Sequence, residues 1–320
     1  MVAQAQAVTA SPRKRKRSSF ARAETRAFYL FISPWIFGFI VFSAGPILAA
    51  AWFSLTNLTD IDINHLPKFV GLEQYKALLD DRLFWVSLKA TAIYTLVSVP
   101  LNIVAALLMA TLLNQKIPGL RLFRTIYYMP TVVAGVASAL LWSQLLRSDT
   151  SGLINWLLSQ VGLGPIDWFG SSNWAMVSLL MYNVWYFGSA MVIFLAALQG
   201  VPTALYEAAE IDGANAVRRF WNVSLPMISP VILFNAVIGL INSLQSFIPP
   251  LIITNKGGPG FATYLYGLNL FDRAFSDTQQ GHGGYAAAMS WVLFLISLVL
   301  TVVFFRVSRG IVYYESGGPG

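Results

Sequence analysis

The chain contains no cysteine, so it has no disulfide framework and no thiolate to serve as nucleophile or metal ligand. Its two histidines, His65 and His282, lie far apart and neither adjoins a carboxylate cluster, which argues against a zinc site. Charge is scarce, at 11% of 320 residues, and its distribution is more telling than its amount. Six apolar runs, at roughly 28–55, 86–113, 123–146, 173–198, 228–253 and 287–305, hold no Asp, Glu, His, Lys or Arg away from their ends. Lys89, Arg124 and Arg306 all sit near the ends. Buried ionisable groups are the relays and ion ligands of proton- or sodium-driven carriers, and that chemistry is excluded here. A membrane hydrolase would likewise need a base or a metal at depth. The G-x-x-x-x-G-K-[ST] pattern is missing too, so the chain cannot hold ATP by a P-loop. No period of 20 to 50 residues marks a solenoid.

What is present is hydrophobic. Apolar residues make up 56% and aromatics 14% of the chain, which excludes an ordinary soluble domain. Each run approaches or exceeds the ~20 residues that a helix needs to cross a bilayer. The fold class expected is an all-α integral membrane protein with six transmembrane helices. The first run, Phe28 to Leu55, is too long for a signal-peptide core, and no cleavage is expected. Pro34 and Gly45-Pro46 should bend this helix without ending it, because neighbours can satisfy the freed carbonyls.

Charge sets the orientation. Residues 1–27 form a basic tail with Arg13-Lys14-Arg15-Lys16-Arg17, placed to stay in the cytoplasm against anionic lipid. With that end inside, fourteen Lys and Arg fall on the inner side and seven on the outer. This is the bias that the positive-inside rule requires. The net charge of +7 is thus explained without nucleic acid. The division expected is a tail at 1–27, six spans at 28–310 with a cytoplasmic loop at 199–227, and a cytoplasmic tail at 311–320. Outside, Leu153 to Leu158 reads as a short interfacial helix, with Trp156 and Trp168 at headgroup level. The apolar-aromatic stretch Phe261 to Phe275 reads as folding back into the outer mouth.

The cytoplasmic loop carries the one charged island between spans. Glu207, Glu210, Asp212, Arg218 and Arg219 crowd together there. Ala208 and Ala209 favour a short helix from Tyr206 to Ile211, and Gly213 stands where a glycine lets a helix turn. A second helix, Ala214 to Asn222, would present Val217, Phe220 and Trp221 before Pro226 stops it. An ordinary solvated loop has no use for those aromatics, and the segment reads as a docking surface.

Glu207-Ala208-Ala209, Gly213, Val223, Leu225 and Pro226, at this spacing, resemble the EAA loop of permease subunits of binding-protein-dependent ABC importers. The departure is Val223, where isoleucine is usual. Thr254-Asn255-Lys256-Gly257-Gly258-Pro259 is similar to a stretch of the sugar-importer branch, with Lys256 inserted. The resemblance covers residues 28–310 and implies a type I importer permease like those for maltose and methionine. It further implies that Glu207, Ala208, Ala209, Gly213, Arg218, Phe220, Leu225 and Pro226 form the coupling helix in a groove of a cytosolic ATPase. The partners implied are a second permease, two ATPase subunits that bind ATP and Mg, and an extracytoplasmic solute-binding protein. This chain itself would be non-catalytic and need no cofactor.

The spans also carry uncharged polar groups. Tyr182, Asn183, Trp185, Tyr186 and Ser189 lie in the fourth, and Asn235, Asn242, Ser243, Gln245 and Ser246 in the fifth. Any one of them could be interhelical glue. Together, amides, hydroxyls and flat rings suit a neutral sugar, whereas an anionic solute would call for Arg or Lys at depth. The substrate path expected comprises Tyr182, Asn183, Tyr186, Asn242, Ser243, Gln245 and Ser246. By resemblance, the midpoint of the fifth span contributes sugar contacts in the related maltose permease; the matching stretch here is Asn242 to Ser246. Alternatives left open are the same architecture for glycerol phosphate or a polyamine, and a channel or scaffold that is no ABC protein.

Overall fold

The computed structural model describes residues 19–58, 67–115, 118–276, 283–308 and 310, with side-chain environments from residue 24 onward. His65, His282, most of the basic tail and residues 311–320 lie outside the described residues. The chain forms two compact units, Met1–Trp52 and Phe53–Gly320.

Among its described residues the first unit is one long helix, α1 (Glu24–Phe53), whose last residue already belongs to the second unit. Pro34 sits inside it without ending it. At Pro46 the helix widens by one residue into a π turn, Ile40–Ala44, where Gly45 N–H donates to Ile40 O. A proline offers no N–H and crowds the carbonyl four residues back, and the extra residue relieves both problems.

The second unit is also helical, and a Thr56–Phe69 bridge is the sole β-type pairing outside named strands among its described residues. Its members are α2 (Glu73–Asp80), α3 (Arg82–Leu113), α4 (Leu120–Tyr128), α5 (Gly135–Leu145) and α6 (Leu153–Gln160). Next come α7 (Ser172–Trp185), α8 (Gly188–Gln199), α9 (Thr203–Ile211), α10 (Ala216–Arg219) and α11 (Ser229–Leu244). The last are α12 (Ile248–Ile252), α13 (Tyr266–Phe271) and α14 (Gly283–Ser308). Among the described residues four helices are long and apolar enough to span: α1, α3, Ser229–Ile252 and α14. The third and fourth expected spans are broken. Leu120–Val132 meets α5 at 101°, and α7 meets α8 at 45°. The total is six if each bent pair crosses once.

The centre of the bundle is α3. Its inward stripe is small and polar, with Ser87, Ala90, Thr91, Thr95, Ser98, Ala106 and Ala110 buried, while Leu96, Val104 and Leu108 face out. In lipid, burial follows size more than polarity, because small residues let backbones approach. The stripe is bonded to its neighbours. Tyr266 N–H donates to Thr91 Oγ1 at 2.7 Å, Ser243 Oγ to Thr95 Oγ1 at 3.0 Å, and Asn269 Nδ2 to Ser87 Oγ at 3.1 Å.

Three core clusters follow. One gathers Leu113, Phe194, Leu198, Val201 and Ile228 beside the charged loop. Another gathers Trp142, Leu146, Trp168, Leu179 and Ile253 toward the opposite end. The third packs Phe84, Leu244, Tyr266 and Met289. The stretch after Phe261 does fold back: Leu265, Tyr266, Leu268 and Asn269 are fully buried in the bundle. Trp168, expected at headgroup level, packs edge to face on Trp174 and is covered by protein. Its Nε1–H donates to Asn155 Oδ1 at 3.1 Å. Asn155 also receives Ile166 N–H and donates to Arg147 O and Ile166 O, a fully satisfied buried amide.

Candidate functional site

Three polypeptide breaks meet around one cavity of about 560 Å³. They are the α4–α5 break, bordered by Val133 and Gly135, the α7–α8 break at Tyr186, and the end of α11 at Ser246, with Pro249 beyond it. A helix break frees carbonyls, which in a membrane must find donors within the protein. Side chains supply them. Asn102 Nδ2 donates to Asn183 O at 2.9 Å, Tyr182 OH to Gly135 O at 3.4 Å, and Tyr186 OH to Val133 O at 3.4 Å. Ser138 Oγ joins both tyrosine hydroxyls, at 3.1 Å from Tyr182 and closely from Tyr186.

Tyr182, Asn183, Tyr186, Asn242, Ser243 and Ser246 all line this cavity. Their situations differ. Tyr182 and Tyr186 are engaged by the breaks just described. Ser243 is buried and bonded to Thr95 and Leu240 O, so it is interhelical glue. Asn242 is exposed to the cavity and its amide makes no hydrogen bond among the described residues. Asn183 Oδ1 is buried without a partner. The Tyr94 hydroxyl lies close to Asn183 and Ser246 but outside good hydrogen-bonding geometry with that oxygen. Gln245 does not join the group. It lines a separate, mostly apolar cavity of about 710 Å³ with Phe247, Phe271 and Phe294. Tyr94 and Asn102, both from α3, are cavity residues that the sequence reading did not single out. Their signal was polarity within a long apolar run. Among the described residues, no Asp, Glu, His, Lys or Arg lines the cavity.

The charged loop forms a compact helical hairpin. α9 starts at Thr203, earlier than expected, and ends with Ala214 N–H on Ala209 O at 2.9 Å and Gly213 N–H on Glu210 O at 3.0 Å. Gly213 has φ +76°, the left-handed cap position. Asn215 Oδ1 then accepts Arg218 N–H at 2.9 Å to start α10. The helix does not stop at Pro226. It widens into a π turn, Phe220–Ser224, and Leu225 N–H donates to Phe220 O just before the proline. The same device serves Pro46. Tyr206 OH and Ser224 Oγ, 2.9 Å apart, tie the two arms, as do Arg219 and Glu210 at 3.0 Å. Outward, the hairpin shows Glu207, Ala208 and Arg218 beside Ile211, 87% exposed, and Trp221, 60% exposed. Phe220 is half-buried against Trp221, edge to face, and Ala209, Leu225 and Pro226 are half-buried as well.

Residues 91–312 match the family described as the binding-protein-dependent transport system inner membrane component. The chain belongs to that family. This permease is 40% identical over 305 residues to the probable ABC transporter permease protein YesP of Bacillus subtilis, covering 94% of this chain and 96% of that one. It is 34% identical over 289 residues to the trehalose/maltose transport system permease protein MalF of Thermococcus litoralis, covering 89% and 95%. Its fold is that of a chain of a bacterial alginate ABC transporter, solved in complex with an alginate pentasaccharide-bound periplasmic protein. That match has a TM-score of 0.80 at 21% identity and covers 95% of the permease and 100% of that chain. Membership makes the permease a multi-pass inner-membrane transport subunit and sets aside the channel or scaffold alternative.

Proposed function

We propose that this permease forms the translocation path of an ATP-driven importer for a neutral sugar or oligosaccharide. The observation that carries the reading is the cavity at the helix breaks, where amides, hydroxyls and tyrosines share the wall with apolar side chains and no charged side chain is among the described lining residues. Neutral hydroxyls can exchange bonds with Asn242, Ser246 and Asn183 Oδ1, and the half-buried Tyr186 ring offers a face to sugar C–H groups. A phosphate or a carboxylate would arrive without a countercharge. Likeness to a trehalose/maltose permease supports the same class of solute.

The chain works, in this reading, beside a second permease, with an extracytoplasmic solute-binding protein delivering the solute. The Thr203–Met227 hairpin faces the cytoplasm and seats in a groove of one of two ATPase subunits, with Trp221, Ile211 and Phe220 as apolar anchors and Glu207 and Arg218 as polar ones. Those subunits hold ATP and Mg; this chain holds no cofactor and hydrolyses nothing. ATP binding draws the two hairpins together and opens the path outward, and hydrolysis reverses it. Both termini lie in the cytoplasm, as the Lys and Arg distribution requires.

Uptake of labelled neutral oligosaccharide by the assembled complex tests the site. Asn242→Ala and Ser246→Ala should each cost ~0.5–1.5 kcal/mol of substrate contact, whereas Gln245→Ala, facing the other cavity, should cost little. Normal uptake by the Asn242→Ala, Ser246→Ala double variant would remove these residues from the path.

A further inference from the structure

Lys89 stands two turns into α3, at the end of the bundle opposite the charged loop. It belongs to a stripe that continues through Ile93, Leu96 and Val97, which are exposed apolar side chains that need hydrocarbon around them. Lys89 is exposed and has no ion pair or hydrogen bond among the described residues. An unpaired cation near the end of a span, beside exposed apolar side chains, is placed where lipid headgroups meet the acyl region.

Beside it opens a cavity of about 470 Å³, walled by α3, the start of α7 and the turn at Gly260–Ala262. Its polar side chains gather at one level of the two helices, with apolar Val86, Ala90 and Phe261 also in the wall. Lys89, Ser172 and Asn173 make the polar end; Ile93, Met176 and Val177, a turn deeper on the same helices, make the apolar end. Trp85 and Trp174, both partly exposed, flank this level as interfacial tryptophans do. The first-turn N–H groups of α7 receive no side-chain cap from Ser171, and Ser172 Oγ is committed to Pro259 O at 3.2 Å. Among the described carboxylates at this end, exposed Glu73 and Asp80 make no ion pair with Lys89, and two others are engaged elsewhere. Asp81 accepts from Arg273 and Tyr285, and Asp167 from Ser148 and Gly170 N–H. An ammonium and uncapped helix N–H groups, both electropositive, therefore meet at the mouth of an apolar slot.

We propose that this slot binds an anionic phospholipid, its phosphate held by Lys89 and Asn173 and an acyl chain laid along Ile93, Met176 and Val177. The apolar wall selects a lipid over a free phosphate. Only the leaflet, the outer one, rests on the orientation proposed above.

The test uses the full chain purified in detergent containing equal parts phosphatidylglycerol and phosphatidylcholine, with retained lipid counted by native mass spectrometry. Wild type should retain phosphatidylglycerol in preference, and Lys89→Arg should keep that preference. Lys89→Gln should lose it about five-fold, the ratio equivalent to ~1 kcal/mol for one basic residue beside anionic lipid. Met176→Trp, which fills the deep wall without touching charge, should lower retention of the lipid as a whole. Three results would overturn the proposal: an undiminished preference in Lys89→Gln, displacement of the lipid by inorganic phosphate, or carbodiimide cross-linking of Lys89 to a carboxylate of another subunit. Lys89→Cys labelled by an impermeant thiol reagent only from the cytoplasmic side would sink the orientation alone. The lipid preference would then be judged by its own readout.

Discussion

Gly213→Ala is the most informative single change, because the structure separates its two possible costs. At φ +76° the residue sits in the left-handed region, where a side chain meets the following carbonyl at ~1–2 kcal/mol. Nothing lies within 4 Å of where a Cβ would stand, so there is no packing clash to add. The whole effect is backbone strain on the turn that carries Ala214 N–H to Ala209 O and Gly213 N–H to Glu210 O. A strain of that size lowers the population of the formed turn about 5- to 30-fold against the opened one. Since the turn sets how α9 and α10 pack, the ATPase subunit should dock less often by a similar factor. Gly213→Asn should be milder, because asparagine tolerates this conformation. Gly213→Asp should be worse than asparagine, its added charge standing beside Asp212 and near Glu210. The assay has two readouts: ATPase subunit retained on the purified permease, and ATP hydrolysis stimulated by loaded binding protein. Membrane insertion should be unchanged, as no span is altered. Full retention and full stimulated hydrolysis in both Gly213→Ala and Gly213→Asp would show that this hairpin is not the coupling element.

Gly188→Ala should be far more damaging to the fold, since its Cβ would lie 2.5 Å from Tyr127 O and 3.1 Å from Tyr128 Cα; overpacking of this kind costs ~1–3 kcal/mol or more, and an unchanged thermal midpoint of the purified chain would contradict the packing of α8 on the α4 segment. Asp81 is raised by burial but lowered more by the Tyr285 hydroxyl, the Leu83 N–H and Arg273, so its carboxyl ends below the usual range. A depressed pKa stabilises the fold above the unfolded value of ~3.9 and loses that contribution as pH falls through the folded value; Asp81→Asn should flatten the acid limb of the stability profile, and an identical limb in both proteins would refute the link. Cysteine at Ser276 should react with an impermeant thiol reagent in intact cells and cysteine at Asn215 should not, the native chain having none to interfere; the reverse pattern would invert the topology.

Much of this fold was legible because the bilayer leaves few options for a long apolar run, and because seven motif positions define the hairpin and its left-handed Gly213. The breaks were not legible. The 101° bend has Pro130 and Gly135 nearby, whereas the α7–α8 break at Trp185-Tyr186-Phe187 has only the following Gly188, a weak signal inside an apolar run. A Cβ at Gly188 would meet Tyr127 O, Tyr128 Cα and the Thr131 side chain, so the glycine is what lets that segment pack against the break. Gln245 was grouped with Asn242 and Ser246 by proximity along the chain. Helical rotation separates them: Asn235, Gly239, Asn242 and Ser246 share one cavity, while Ile241 and Gln245 turn to the next. The protein cover over Trp168 was not legible either: it depends on the Asn155 amide, thirteen residues away, which takes the indole N–H.

The breaks also explain why polar residues in these spans cannot be sorted by type. Broken helices expose carbonyls at the level of the cavity, so the same asparagines and tyrosines that suit a sugar are needed to satisfy the backbone. Asn102, Tyr182 and Tyr186 do the second job, on Asn183 O, Gly135 O and Val133 O. Asn242 and the Asn183 Oδ1 atom have no such duty. In a bundle that alternates its opening, the distinction has a consequence. The first group is tied to the breaks and must keep or exchange its bonds as the bends change angle. The second can bond a solute in one arrangement of the path and release it in the other, without leaving the backbone unsatisfied in either.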